Sequence, residues 1–113
     1  MEVDEPLPIL RRLTDVIEDR RQRRPAESYT AQLFDRGAPA VAAKLREEAE
    51  ELIEAALDEV PDRRQVVHEA ADLLFHAMVL LAYCGVRFEE VEGELERRFG
   101  TSGSTEKAAR SGE

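Results

Sequence analysis

From Ala70 to Cys84 the chain is almost continuously apolar, yet Asp72 and His76 are set into the run. A helix apolar on all sides has to be buried on all sides. An ionised carboxylate in such surroundings costs several kcal/mol unless it is paired or bound to a metal ion. Glu69 lies one turn before Asp72, and Tyr83 two turns after His76. Spacings of three, four and seven therefore predict one polar stripe carrying Gln65, Glu69, Asp72, His76 and Tyr83. The rest of the chain has to supply both neighbours for this helix and compensation for its acids.

A length of 113 residues fits one domain. Apolar residues make up 42% and aromatics only 5%, with no Trp, a composition that favours helices over strands. Ile9, Leu10, Leu13, Val16 and Ile17 recur at helical spacing, predicting a helix over residues 9–24. Its end carries Arg20, Arg21, Arg23 and Arg24, which either complement the helix dipole or bind phosphate. Ser28 is the expected N-cap of a short helix stopped by Gly37. Two long helices follow, over about residues 39–59 and 62–84, separated by Pro61; a last one spans 88–99 before Gly100. No segment alternates as a strand does. The expectation is an all-α helical bundle of four to five helices over residues 9–100. A mobile tail (residues 1–8) precedes it, and a flexible Gly/Ser-rich segment (residues 101–113) follows. Three modest neighbours cannot cover the apolar helix, so completion by homo-oligomerisation, as a homodimer or larger, is expected.

A net charge of −9 argues against nucleic acid and anionic membrane as partners. The apolar stretch Ala77 to Val86 is half of the ~20 residues a membrane span needs. The acidic start of the chain lacks a signal-peptide pattern, so a cytoplasmic protein is expected. The single cysteine, Cys84, is read with Met78 as core.

The first long helix carries more acids. With Leu45 at 0°, Glu47, Glu50 and Glu54 fall at roughly 140–200°, on the solvated side, whereas Glu48 and Glu51 fall near 300° and 240°, flanking the apolar stripe. A very short connection forces the long helices antiparallel, so Glu48 and Glu51 can face Glu69 and Asp72. Two compensations stay open: an arginine in a structural ion pair, or a divalent cation. Four oxygen ligands suit Mg²⁺, with Mn²⁺ as a substitute, better than zinc.

The pattern Glu47-Glu48-x-x-Glu51, seventeen residues, then Glu69-x-x-Asp72 resembles the signature of the all-α nucleotide pyrophosphohydrolases related to MazG. Ser28-Tyr29-Thr30, Glu69-Ala70-Ala71-Asp72-Leu73-Leu74-Phe75-His76 and Ser102-Gly103-x-x-Glu106-Lys107-Ala108-x-Arg110 narrow the resemblance to the phosphoribosyl-ATP pyrophosphatase family. That resemblance implies Mg²⁺-dependent hydrolysis of the α–β phosphoanhydride of phosphoribosyl-ATP, giving phosphoribosyl-AMP and pyrophosphate in the second step of histidine biosynthesis. It implies Glu48, Glu51, Glu69 and Asp72 as metal ligands; Glu47 occupies the motif's first Glu but falls on the outer face, so it either supports a ligand or orients water as a catalytic residue, or has no role. By the same resemblance Arg98, Lys107 and Arg110 are phosphate contacts, the last two on a segment that closes over substrate.

No Walker loop is present, so side-chain cations have to hold the phosphates. Lys44, on the stripe of Glu48 and Glu51, is the first candidate for a catalytic cation; a surface Glu–Lys pair explains it equally. Tyr29 and Thr30 are expected near the base or ribose, although packing of the short helix explains Tyr29 as readily. His76 either holds a ligand carboxylate in place or is a satisfied core histidine. Two rivals to the histidine-pathway enzyme remain: a house-cleaning (d)NTP pyrophosphohydrolase, and a non-enzymatic helical oligomer with buried ion pairs.

Overall fold

The computed structural model describes residues 8–100. Five helices follow one another: α1 (Ile9–Arg23), α2 (Tyr29–Arg36), α3 (Ala38–Leu57), α4 (Arg63–Tyr83) and α5 (Phe88–Phe99). No strand occurs among the described residues. Residues 1–7 of the expected tail and the segment 101–113, with Lys107 and Arg110, lie outside them.

Each boundary has a local cause. The side chain of Ser28 accepts a hydrogen bond from the Ala31 N–H at 3.2 Å and opens α2. Gly37, at φ 97°, joins α2 to α3 without a loop, a backbone conformation that suits glycine. Asp62 caps α4, accepting from the Arg64 N–H at 3.0 Å. The arginines at the end of α1 are engaged by acids: Arg20 and Arg23 with Asp19, Arg21 with Glu18, and Arg24 with Asp35 of α2. Local pairing thus accounts for that basic run.

The core is formed by Ile17, Leu33, Phe34, Val41, Met78, Val79 and Ala82, where α1 and α2 meet the start of α3 and the end of α4. Tyr83 does not point along the acidic stripe. Its hydroxyl donates to the carbonyls of Leu33 (2.6 Å) and Phe34 (3.0 Å), tying α4 to the end of α2. Burial pushes this phenol above its ordinary range, so it stays a donor. Met78 is buried as expected, but Cys84 is exposed, because α4 ends at Tyr83 and Cys84 begins the turn away from the core.

Helix α4 is long and apolar enough, by length and composition, to cross a membrane. The shortness of Ala77 to Val86 therefore does not decide that question. In this fold α4 packs against α1, α2 and α3. It carries Glu69, Asp72 and His76 in its middle, where hydrocarbon would penalise them.

Candidate active site

The five-residue turn 58–62 sets α3 and α4 antiparallel, and their packing is the most extensive in the molecule. On α3 the fully buried positions are Val41 and Glu48, with Leu52 and Ala55 half-buried on the same line. Glu48 therefore sits in the middle of the face turned to α4, not on its flank. The apolar stripe is wider than one neighbour can cover. Its other half, around Ile53 and Leu57, is exposed within the chain.

Glu48 is only 4% exposed, and its Oε1 lies 2.5 Å from Nδ1 of His76. The Nδ1 hydrogen, however, is directed at the carbonyl of Asp72 at 3.0 Å. Oε1 consequently lies close to the ring without an aligned hydrogen bond and has no partner for one. Glu69, across the groove on α4, is 8% exposed and presents the same pattern: Oε2 accepts from Gln65 Nε2 at 3.2 Å, while Oε1 has no partner. Glu51 lies beside them at the exposed edge. Lost hydration, followed by the neighbouring carboxylates of Glu69, Glu48 and Glu47, pushes the Glu51 carboxyl up. A cleft of about 360 Å³ opens from this edge towards the α3–α4 turn, lined by Glu51, Glu54, Ala55, Asp58, Val60, Asp62, Gln65 and Glu69.

Glu48, Glu51 and Glu69 thus converge, with Glu47 near enough to act on Glu51. Asp72 does not join them: its carboxylate faces outward to Nε2 of His68, 3.3 Å away on the same helix. His76 contacts Glu48 and the backbone of Asp72 rather than the Asp72 side chain. Glu54 is exposed, as expected of the solvated face, and also lines the open cleft, because it follows Glu47 and Glu51 at spacings of seven and three. Gln65 was legible only as a member of the polar stripe; its bond to Glu69 was not. Lys44 forms no ion pair among the described residues, which removes the surface-pair explanation. Arg98, on α5 against α1, pairs with Glu94 at 2.8 Å and is not brought to the acids. Thr30 is half-buried in the first turn of α2. Tyr29, one residue earlier, reaches His76, its hydroxyl 2.9 Å from Nε2.

Among the described residues no three His, Cys, Asp or Glu side chains are drawn into a ready-made ion cage. The acids are close enough to disturb one another, and two buried oxygens lack partners. Among the described residues no arginine pairs with them. Like charges so placed are relieved by a proton or by a cation.

An antiparallel helix pair presenting opposed, uncompensated glutamates within an all-α bundle defines a helical carboxylate-site protein. The chain belongs to the phosphoribosyl-ATP pyrophosphohydrolase family, matching it over residues 10–99. It is 53% identical over 104 residues to the phosphoribosyl-ATP pyrophosphatase of Rhodopirellula baltica, covering 89% of this chain and 85% of that one. To the protein of the same name from Rhizorhabdus wittichii it is 55% identical over 101 residues (89% and 93% covered). The corresponding figure for Rhodospirillum rubrum is 53% over 102 residues (90% and 86%).

Proposed function

We propose that this chain is a cytoplasmic phosphoribosyl-ATP pyrophosphohydrolase of histidine biosynthesis. It cleaves the α–β phosphoanhydride to leave phosphoribosyl-AMP and release pyrophosphate. The observation that carries this beyond family membership is the opposition of Glu48 and Glu51 to Glu69, with an unpartnered buried oxygen on each helix. A site of bare carboxylates repels a triphosphate, so the donor set fits a hard divalent cation, Mg²⁺ or Mn²⁺. Bound there, such an ion would screen the phosphates and acidify a water.

Glu48, Glu51 and Glu69 would hold the ion, and Asp72 would join them by turning its carboxylate away from His68. Glu47, exposed one turn before Glu51, would accept a proton from water at the groove edge. Lys44, which pairs with no acid among the described residues, would meet a phosphate oxygen from the same helix. Tyr29 and Thr30, at the start of α2, would face the nucleoside part. Lys107 and Arg110 stay as proposed phosphate contacts, and Arg98 would have to leave Glu94 to serve as one. The uncovered half of the α3 stripe supports a homodimer.

The test supplies purified protein with phosphoribosyl-ATP and a panel of dNTPs, with and without Mg²⁺, and follows pyrophosphate. Release from phosphoribosyl-ATP with Mg²⁺, lost in Glu51→Ala and Asp72→Ala variants that remain helical, is the expected result. Preference for a dNTP would reassign the substrate. No hydrolysis at all would leave a structural oligomer.

A further inference from the structure

His76 stands where three helices meet and addresses a different group through each ring nitrogen. Nε2 shares a hydrogen bond with the Tyr29 hydroxyl, on the first residue of α2, at 2.9 Å. Nδ1 lies 3.0 Å from the Asp72 carbonyl on its own helix and 2.5 Å from Glu48 Oε1 on α3. A carbonyl oxygen only accepts, so Nδ1 carries a hydrogen whatever the charge of the ring. The imidazole and Glu48 are each 4% exposed, whereas Tyr29 is 45% exposed, its ring stacked 6.3 Å from that of Phe75. An enclosed ring therefore connects a buried carboxylate to a phenol at the surface.

A histidine that merely fills space needs partners for its nitrogens, and the Asp72 carbonyl with any neighbouring hydroxyl would suffice. It does not need a buried glutamate against the same nitrogen. An apolar side chain in that place would fill the volume without drawing an acid out of water. The position of Glu48 is what the packing reading leaves unaccounted for.

We propose that His76 is a positioning residue with two separable tasks. Through the close contact of Nδ1 with Oε1, its hydrogen going to the Asp72 carbonyl, it sets where the Glu48 carboxylate lies for the cation, and through the Nε2 hydrogen bond it fixes the Tyr29 phenol at the substrate side. The orientation of α2 and the geometry of the acids on α3 are thereby set by one ring. This rests on the pyrophosphohydrolase reading above and adds a division of labour to it.

Amide substitutions separate the nitrogens, since the Asn amide falls near Nδ1 and the Gln amide near Nε2. His76→Asn is expected to keep kcat and Mg²⁺ affinity close to wild type. It should raise KM about two- to tenfold, the loss of one hydrogen bond. Tyr29→Phe should do the same and add nothing when combined with it. His76→Gln should show the reverse: KM retained, kcat lowered, and Mg²⁺ binding, measured by calorimetry without substrate, weakened about two- to tenfold.

If either His76 variant fails to fold, Tyr29→Phe still decides the Nε2 task, and an unchanged KM overturns it. The Nδ1 task is then read from ¹⁵N-imidazole spectra of the His68→Gln protein, in which His76 is the only histidine. Added Mg²⁺ should move the Nδ1 resonance more than Nε2; equal or absent movement overturns the proposal. Parallel loss of KM and Mg²⁺ affinity in both amide variants would also overturn it. A wild-type protein that neither binds Mg²⁺ nor releases pyrophosphate would instead bring down the enzyme reading, and the Nδ1 task with it.

Discussion

Glu51 is where the charge conflict of the groove is felt, because it lies at the wet edge while Glu48 and Glu69 are enclosed. Partial loss of water and the neighbouring acids hold its carboxyl above the usual range. The folded chain thus binds that proton more tightly than the unfolded chain does. Its contribution to stability is complete below the ordinary glutamate range and is lost as pH rises through the higher folded value. In metal-free protein, Glu51→Gln should melt a few degrees above wild type at pH 8, with the gap closing at pH 4, as followed by circular dichroism. At a hundred times its dissociation constant, Mg²⁺ should raise the wild-type midpoint by on the order of 10 °C and the variant's by much less. A variant no more stable than wild type at pH 8 would show that Glu51 is not crowded. The identity of these acids was readable from spacing alone, since helical period fixes which residues share a face. Their depth was not. Glu48 lies at the centre of the buried face because α4 covers only part of a stripe whose full width the wheel treats as one. The outward turn of Asp72 to His68 is a rotamer choice that periodicity does not encode.

At the scale of elements, α2 is short and owes its place to side chains of α4 at both of its ends. Tyr29 meets His76 at its start, and Tyr83 donates to Leu33 and Phe34 at its finish. An eight-residue helix is too short to be stable by its own propensity, so these ties and the burial of Ala31, Leu33 and Phe34 decide whether it stays docked. Tyr83→Phe removes the donor from two carbonyls at once and should cost about 1–3 kcal/mol in urea denaturation. KM for phosphoribosyl-ATP should rise as well, because α2 carries Tyr29. Loss of stability without a change in KM would mean that the far tie does not set the near one. The helices themselves were legible from apolar spacing and from Ser28, Gly37, Pro61 and Gly100, whose backbone preferences act locally. Tyr83 was placed with the acids because it shares their stripe, but α4 is long enough for one stripe to serve the groove at one end and α2 at the other. Cys84 was read as core for a related reason: apolar composition runs on past the residue where the helix stops.

The whole molecule is packed at one end and open at the other. The core lies where α1 and α2 cover the α3–α4 pair, while Ile53, Leu57, Val60, Val67 and Leu74 are 47–82% exposed along the remaining length of that pair. Ala56, Pro61, Val66 and Val67 line a second, apolar depression beside the acidic cleft. Burying one such aliphatic side chain contributes about 1.5–3 kcal/mol, and a two-fold axis uses each residue twice. A second copy docked there would cover the other half of the α3 stripe and raise a wall beside Val60 and Ala55, which belong to the cleft itself. Assembly and catalysis would then be linked through position rather than through any shared ligand. Sedimentation should give wild-type protein at twice the chain mass of 12.8 kDa. Leu57→Glu, a charge on the most exposed leucine of α3, should shift it to the single-chain mass while leaving helicity intact. Specific activity should fall in the variant and recover as protein concentration is raised, since mass action restores the pair. A Leu57→Glu protein that keeps the wild-type mass would move the interface off this face. One that becomes monomeric with undiminished activity would show that each chain carries a complete cleft.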